Sequence, residues 1–250
     1  MPSVDLMKLI QRNVLSLEPY HVEDNDCEIK LHANENPFPP SKELLDLFSA
    51  SLQKLQLNRY PDPDSKALKD SIANRLDIKT ERLVIGNGSD EIILFLLQVF
   101  CQEGDTIIFP EPTFAMYSII AQSLSIKSAS ISLDSQWNFN ADVLLRSAEE
   151  NNSRIIFLSY PNNPTGNCFS DIQVQKVIES FQGIVVIDEA YHDFSRKSFI
   201  NQIEEHNNLV VLRSLSKIGL AGLRVGFSVA DPLVINEINK VRLPYNSNTI

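Results

Sequence analysis

From residue 83 onward the chain alternates short apolar runs with stretches in which apolar residues recur every three or four positions. The runs Thr106–Phe109, Arg154–Leu158, Ile184–Ile187, Leu209–Leu212 and Val225–Val229 predict strands, and the helical spacing predicts helices at 89–101, 113–123, 140–150 and 171–181. The strands read as continuous apolar runs rather than as strict alternation, which is the pattern of a sheet covered on both faces. An α/β domain follows, with a mostly parallel sheet between helices. Upstream, Val4 to Leu17 predicts a short amphipathic helix ended by Pro19. Residues 20–40 read as irregular around Pro37, Pro39 and Pro40. Ser41 reads as an N-cap, with Leu44, Leu45 and Phe48 on one helical face. Arg59-Tyr60-Pro61-Asp62-Pro63 reads as a rigid loop, and Ser65 to Leu76 returns to helical spacing. No internal repeat or low-complexity segment interrupts this order.

Composition narrows the class without naming a function. The chain has 250 residues, 43% of them hydrophobic and 22% charged, the profile of an ordinary globular protein with room for one large domain and part of a second. Its formal charge of -10 disfavours non-specific binding to nucleic acid or to an anionic membrane surface, but leaves room for a phosphate held by local donors and one arginine. The most apolar stretch, Ile92 to Phe100, is too short to span a bilayer. Met1 to Gln11 lacks the pattern of a secretory leader. Cys27, Cys101 and Cys168 are widely spaced and odd in number, which predicts free thiols in a reducing, cytoplasmic setting.

In sheets of this kind ligands sit beyond the C-terminal ends of the strands, and the unusual polar residues fall there. Asp188, in Asp188-Glu189-Ala190-Tyr191, ends a buried apolar run. A carboxylate in that place is costly unless it meets a cation such as a protonated pyridine nitrogen, although a strand-end acid can also simply cap a turn. Lys217, in Ser214-Leu215-Ser216-Lys217, can form a Schiff base if its surroundings strip its proton; otherwise it is a solvated loop lysine. Arg224, seven residues on, can grip a phosphate with its planar fork. Gly86-Asn87-Gly88-Ser89-Asp90-Glu91 is a tight turn opening an apolar helix, where free N–H groups attract a phosphate; it matches neither GxGxxG nor a P-loop. Tyr160-Pro161-Asn162-Asn163-Pro164-Thr165-Gly166 fixes an asparagine between two prolines, suited to donating to a phenolate oxygen.

These four pieces, in this order, resemble the fold-type I pyridoxal-phosphate (PLP) aminotransferases, over roughly residues 8–250. The resemblance implies that Lys217 carries PLP covalently and shuttles the proton between the substrate Cα and the cofactor, and that Asp188 pairs with the pyridine nitrogen. It implies that Tyr191 and Asn163 serve the ring's phenolate oxygen and that Phe114, in Pro112-Thr113-Phe114, stacks on the ring face. Ser89 and Asp90, with Glu91 counted in the same cofactor-binding turn, would hold the phosphate together with Ser214, Ser216 and Arg224.

Three further segments resemble the histidinol-phosphate branch of that family. They are Leu31-His32-Ala33-Asn34-Glu35-Asn36-Pro37, the Tyr60 loop and Pro19-Tyr20. By this resemblance Tyr20, Asn34 and Glu35 face the substrate, and Tyr60 reaches the PLP phosphate of a neighbouring subunit in a homodimer. The implied reaction moves an amino group between L-histidinol phosphate, as donor, and the 2-oxo acid 2-oxoglutarate. The cofactor motifs do not separate this from an aromatic aminotransferase or a phosphothreonine-type decarboxylase, nor by themselves from a non-catalytic PLP-fold binding protein. Residues 1–40 are expected to form an N-terminal arm and the start of a small domain, and 41–250 the large PLP-binding domain. The family's C-terminal small domain is expected to be missing, because relatives continue past Asn246-Ser247-Asn248-Thr249-Ile250. The interval from Lys217 to Arg224 is one residue shorter than in some members.

Overall fold

The computed structural model describes residues 4–19 and 28–249. After a 3-10 turn at Leu6–Leu9 come α1 (Arg12–Leu15), α2 (Lys42–Leu52), α3 (Lys66–Leu76), β1 (Leu83–Asn87), α4 (Ser89–Phe100), β2 (Thr106–Glu111), α5 (Met116–Ser123) and β3 (Lys127–Ser132). The order continues with α6 (Ala141–Glu150), β4 (Ser153–Ser159), α7 (Asp171–Ser180), β5 (Ile184–Asp188), α8 (His192–Ser195), β6 (Leu209–Ser214), β7 (Val225–Ala230) and α9 (Pro232–Val241).

Among the described residues the strands form one seven-stranded sheet in the order β1-β7-β6-β5-β4-β2-β3. It is mostly parallel, as its apolar runs imply; β7 alone runs against its neighbours β1 and β6. Side chains alternate across each strand, so every apolar run feeds two cores. Ile156, Leu158, Val185 and Ile187 face one side, packed with Leu144 of α6 and Val174 and Val177 of α7. Ile155, Phe157, Val186 and Val210 face the other, packed with Ile92 and Leu96 of α4, Tyr117 of α5 and Ile235 of α9. A strand buried on both faces has no room for polar side chains until it ends, which is why the polar residues collect at its C-terminal edge.

The structure departs from the expected elements at the N-terminus, in strands β1 and β3, in the additional helices α8 and α9, and at the start of α5. The helix expected over Val4 to Leu17 is a 3-10 turn and the four-residue α1, with Ile10 and Gln11 extended between them. None of those residues is buried, and a segment that short does not hold a helix without packing. Strands β1 and β3 were not expected. β1 is short and runs directly into the Gly86–Glu91 turn, whereas β3, Lys-Ser-Ala-Ser-Ile-Ser, is a polar edge strand with only Ile131 buried. The helix expected from residue 113 begins at Met116.

Ser41 does cap α2, accepting a hydrogen bond from Leu44 N, but no residue of α2 is buried. No helix among the described residues is long and apolar enough to cross a membrane. Cys101 and Cys168 are free thiols, and Cys27 lies outside the described residues.

Candidate active site

A cavity of about 850 Å³ opens at the C-terminal edge of the sheet. Strand ends deliver its polar walls: Ser159 and Asn163 after β4, Asp188 from β5, and Ser214, Ser216 and Lys217 from β6 and the turn behind it. Ser89 and Asp90 enter from the start of α4, Phe114 from the loop before α5, and Arg224 from the residue preceding β7. Across the opening lies the irregular segment 29–35, which brings Ala33, Asn34 and Glu35 to the same space. Twelve of the residues that the sequence assigns to a cofactor or substrate site are therefore assembled around one volume: Asn34, Glu35, Ser89, Asp90, Phe114, Asn163, Asp188, Tyr191, Ser214, Ser216, Lys217 and Arg224.

Asp188 is 3% exposed. Burial pushes its carboxyl up to about 6, against the pull of its hydrogen-bond donors. Tyr117 Oη donates to Oδ2 at 2.8 Å and the Ala190 amide donates to Oδ1 at 3.0 Å. Tyr117 is fully buried, stacked on Phe157 at 4.6 Å between ring centroids and meeting Phe114 edge-on at 5.5 Å. One ring thus supports both the carboxylate and the aromatic face that line the cavity. Tyr117 was not among the residues singled out in the sequence. Its signal was its position three residues after Phe114, a spacing that brings side chains to one side of a helical turn.

Lys217 is half-buried, and burial pushes its amine below the usual lysine range; Arg224 acts in the same direction, while Asp90 and Glu35 oppose it. Its Nζ donates to the Ala33 carbonyl at 2.8 Å and stands 5.7 Å from the centre of the Tyr191 ring. Asn34 Nδ2 donates to Tyr191 Oη at 2.9 Å, so the segment across the opening touches two cavity groups directly. The two asparagines between the prolines have separate uses. Asn163 lines the cavity. Asn162 is buried and knits the loops, donating from Nδ2 to Pro112 O and Thr165 Oγ1 and accepting from Thr113 Oγ1. Behind Asp188, the buried Glu189 takes Nε and Nη2 of Arg213 at 3.0 and 2.9 Å, with Ser198 Oγ and Phe199 N, which pins the turn carrying Tyr191.

A further group of residues forms a cup. The N-cap of α4 is Gly88, at φ 83°, with no side chain to occupy the first amides of the helix. Those amides remain available to an anion. A Cβ on Gly88 would stand 2.5 Å from Arg224 Nη2, and one on Gly226 would stand 2.4 Å from both Gly88 C and Ser89 N. The absence of those two carbons lets the guanidinium and β7 close on the turn. Ser214 and Ser216 complete the cup, with their hydroxyls 2.8 Å apart. Its donors are one guanidinium, helix amides and hydroxyls, a set that suits a phosphate dianion. The cavity beside it offers Asp188, Tyr191, Asn163 and Phe114, the edge and face partners of a pyridinium ring. The residues present therefore fit PLP. Among the described residues no group of three or more His, Cys, Asp or Glu is placed to hold a metal ion. Because the contact at Gly226 is backbone against backbone, Gly226→Ala should destabilise the chain by about 1–3 kcal/mol, read from urea unfolding. An unchanged midpoint would show that the turn yields freely.

Glu91, expected in the cofactor site, stands elsewhere; Tyr60, assigned to a neighbouring subunit's cofactor, lies outside its own cavity; and Tyr20, assigned to the substrate, cannot be placed. Glu91 does not reach the cavity; its Oε2 accepts from Asn87 N at 2.7 Å and Asn246 Nδ2 at 2.6 Å, because the third residue of a helix points back over its own N-terminus. Tyr60 is 81% exposed, outside its own chain's cavity, with its ring stacked on Tyr245 at 4.6 Å. Tyr20 lies outside the described residues.

Comparison with known proteins agrees with this geometry. The family model described as aminotransferase class I and II matches residues 27–250. Histidinol-phosphate aminotransferase 2 of Nitrosococcus oceani is 39% identical over 242 residues, covering 96% of this chain and 67% of that protein. Histidinol-phosphate aminotransferase of Flavobacterium johnsoniae is 40% identical over a 260-residue alignment, covering 100% of this chain and 70% of that protein. The solved structure of histidinol-phosphate aminotransferase from Sinorhizobium meliloti, in complex with pyridoxal-5'-phosphate, superposes with a TM-score of 0.80 at 21% identity. It covers 87% of this chain and 60% of that one, a likeness of fold. The chain spans about two thirds of the length of the curated relatives it matches. With its strand-end lysine and aspartate on one cavity, a glycine-built anion cup beside them, and relatives at 39% and 40% identity, the chain belongs to the aminotransferase class I and II family.

Proposed function

We propose that this chain is the PLP-binding part of an aminotransferase that moves an amino group between L-histidinol phosphate and 2-oxoglutarate. The observation that carries the reading is the convergence of Lys217 and Asp188 on one cavity with the Arg224–Gly88 cup at its side. Relatives named histidinol-phosphate aminotransferase support the donor. The fold class and the sequence resemblance support the division into an N-terminal arm with the start of a small domain up to residue 40 and a large domain beyond it.

When bound, PLP supplies an electron sink for the charge left on a carbon that loses its proton. The chain's own residues do the rest. Burial lowers the Lys217 amine's affinity for its proton, which would favour the neutral form that bonds covalently to the cofactor, and Nζ would be placed to take the Cα proton and return it. Asp188, buried and costly when its charge is unpaired, favours a protonated pyridine nitrogen beside it, and the Tyr117 hydroxyl keeps the carboxylate aimed. Tyr191 and Asn163 orient the ring through its phenolate oxygen, Phe114 covers a face, and Arg224, the amides of Ser89 and Asp90, Ser214 and Ser216 hold the phosphate. Segment 29–35 lies across the opening, and its Asn34 and Glu35 would face the donor, the role that the sequence resemblance also implies for Tyr20. Tyr60, presented on the outer surface, would serve the phosphate of a second copy in a homodimer.

The test is a half-reaction. The chain is loaded with PLP, reduced with borohydride and mapped by peptide mass, and a second aliquot is mixed with L-histidinol phosphate, phenylalanine or phosphothreonine in turn. Label on Lys217, with conversion of bound PLP to its amine form by L-histidinol phosphate first, supports the reading. Preferential conversion by phenylalanine, or carbon dioxide from phosphothreonine, replaces the donor or the reaction.

A further inference from the structure

Glu91 has been moved out of the cofactor's reach, yet its carboxylate is engaged by two separate parts of the chain. Oε2 accepts from the Asn87 amide at 2.7 Å, in the peptide that joins Gly86 to Asn87. The same oxygen accepts from Asn246 Nδ2 at 2.6 Å, a partner 155 positions later in the sequence. Asn246 Nδ2 also reaches the Ile85 carbonyl at 3.3 Å, so its amide spans the end of β1 and the start of α4. Its orientation is set from behind: Arg242 Nη1 donates to Asn246 Oδ1 at 3.0 Å and to the Pro63 carbonyl at 2.8 Å. With Oδ1 turned to the guanidinium, Nδ2 is turned to Glu91. Through Glu91 this network reaches the turn whose amides form the anion cup.

We propose that Asn246 is a positioning residue for the phosphate of the cofactor, acting through Glu91 on the Gly86–Ser89 turn. The inference rests on the PLP reading given above. The physical argument is one of direction. Gly88 occupies a left-handed conformation and its neighbour Gly226 leaves no spare carbon, so the turn is shaped by what holds its flanks. The Asn87 amide is one such flank, and a carboxylate held by two donors keeps it in place better than one free to turn toward water. The ring's partners come from other elements: Asp188 from β5, Tyr191 from the turn after it, and Phe114 from the loop before α5. Loss of Asn246 should therefore loosen the grip on the phosphate and leave the grip on the ring alone.

Pyridoxamine phosphate and pyridoxamine differ only in the phosphate, and neither bonds covalently to Lys217. Their dissociation constants for the full chain, by fluorescence titration, separate the two grips. Wild type should prefer the phosphorylated form strongly. Asn246→Ala should weaken pyridoxamine phosphate about tenfold and pyridoxamine less than twofold. Glu91→Gln, an isosteric change that spares the fold, should show the same one-sided loss to a smaller degree, and it carries the test if Asn246→Ala does not fold. An equal loss for both ligands, or full retention of the preference in both variants, overturns the positioning role while leaving the PLP reading intact. A wild-type chain without preference for the phosphate overturns the PLP reading itself, and the positioning role with it.

Discussion

Lys217→Ala should bind PLP without retaining it after borohydride reduction, and its amino transfer should fall by roughly 10³-fold or more. Two losses combine in that figure. The alanine chain has no amine to hold the cofactor covalently, and no base at the place from which the Cα proton is taken. The desolvated setting of Nζ favours the neutral amine that both roles need, because burial penalises the charged form. The change also frees the Ala33 carbonyl, which accepts from Nζ at 2.8 Å in the native chain. Mass analysis after reduction reads the first loss directly. A reduced adduct that persists on another lysine would remove Lys217 from its assigned place.

Asp188→Asn should divide stability from function. In the folded chain the Asp188 carboxyl is pushed up to about 6, against 3.8 for an ordinary aspartate. Between those two pH values the folded chain holds a proton that the unfolded chain has released, so stability falls as pH rises through that window and stays low above it. The accumulated cost is about 3 kcal/mol at 1.36 kcal/mol per pH unit. Asparagine carries no such charge. The cofactor-free variant should therefore match wild type near pH 4 and exceed it by up to about 3 kcal/mol at pH 7 to 8. Loaded with PLP, the same variant should lose turnover by roughly 10²-fold or more, because a neutral amide does not hold the pyridine nitrogen protonated. Denaturant unfolding at the two pH values checks the first half and steady-state rates the second. A variant less stable than wild type at pH 8 would mean that the hydrogen bonds from Tyr117 and Ala190 outweigh the burial of the charge.

The place of the candidate site was legible in the sequence because the central parallel strands β4 and β5 are apolar until they end. In Ile184-Val185-Val186-Ile187-Asp188 the first charged residue coincides with the end of the buried run, and the same holds for Ser214 to Lys217 after β6. What the sequence concealed were contacts between distant segments. Beyond its spacing from Phe114, nothing around Tyr117 distinguishes it from an ordinary core aromatic, and its hydroxyl meets Asp188 through contacts that the sequence does not show. Glu91 sat one residue from cavity-lining Asp90, but a helix turns by about 100° per residue, which directs it to Asn246 instead. The edge strand β3 was hidden by its composition, since only Ile131 of its six residues is buried and Ala129 adds a partly buried contact. The N-terminal helix failed for the opposite reason: its apolar spacing buries no side chain among the described residues.

The sheet has a second end. The turns that lead into the parallel strands there, Gln102 to Asp105 before β2 and Asn151–Asn152 before β4, contribute no residue to the cavity. At Gly104 a side chain would meet nothing within 4 Å. Insertions and surface changes can accumulate at that end without disturbing Lys217, Asp188 or the anion cup. Solubility and chemistry can thus vary independently in this chain, and a tag or a fused partner belongs at Asn151–Asn152 rather than near the strand ends that carry the reaction.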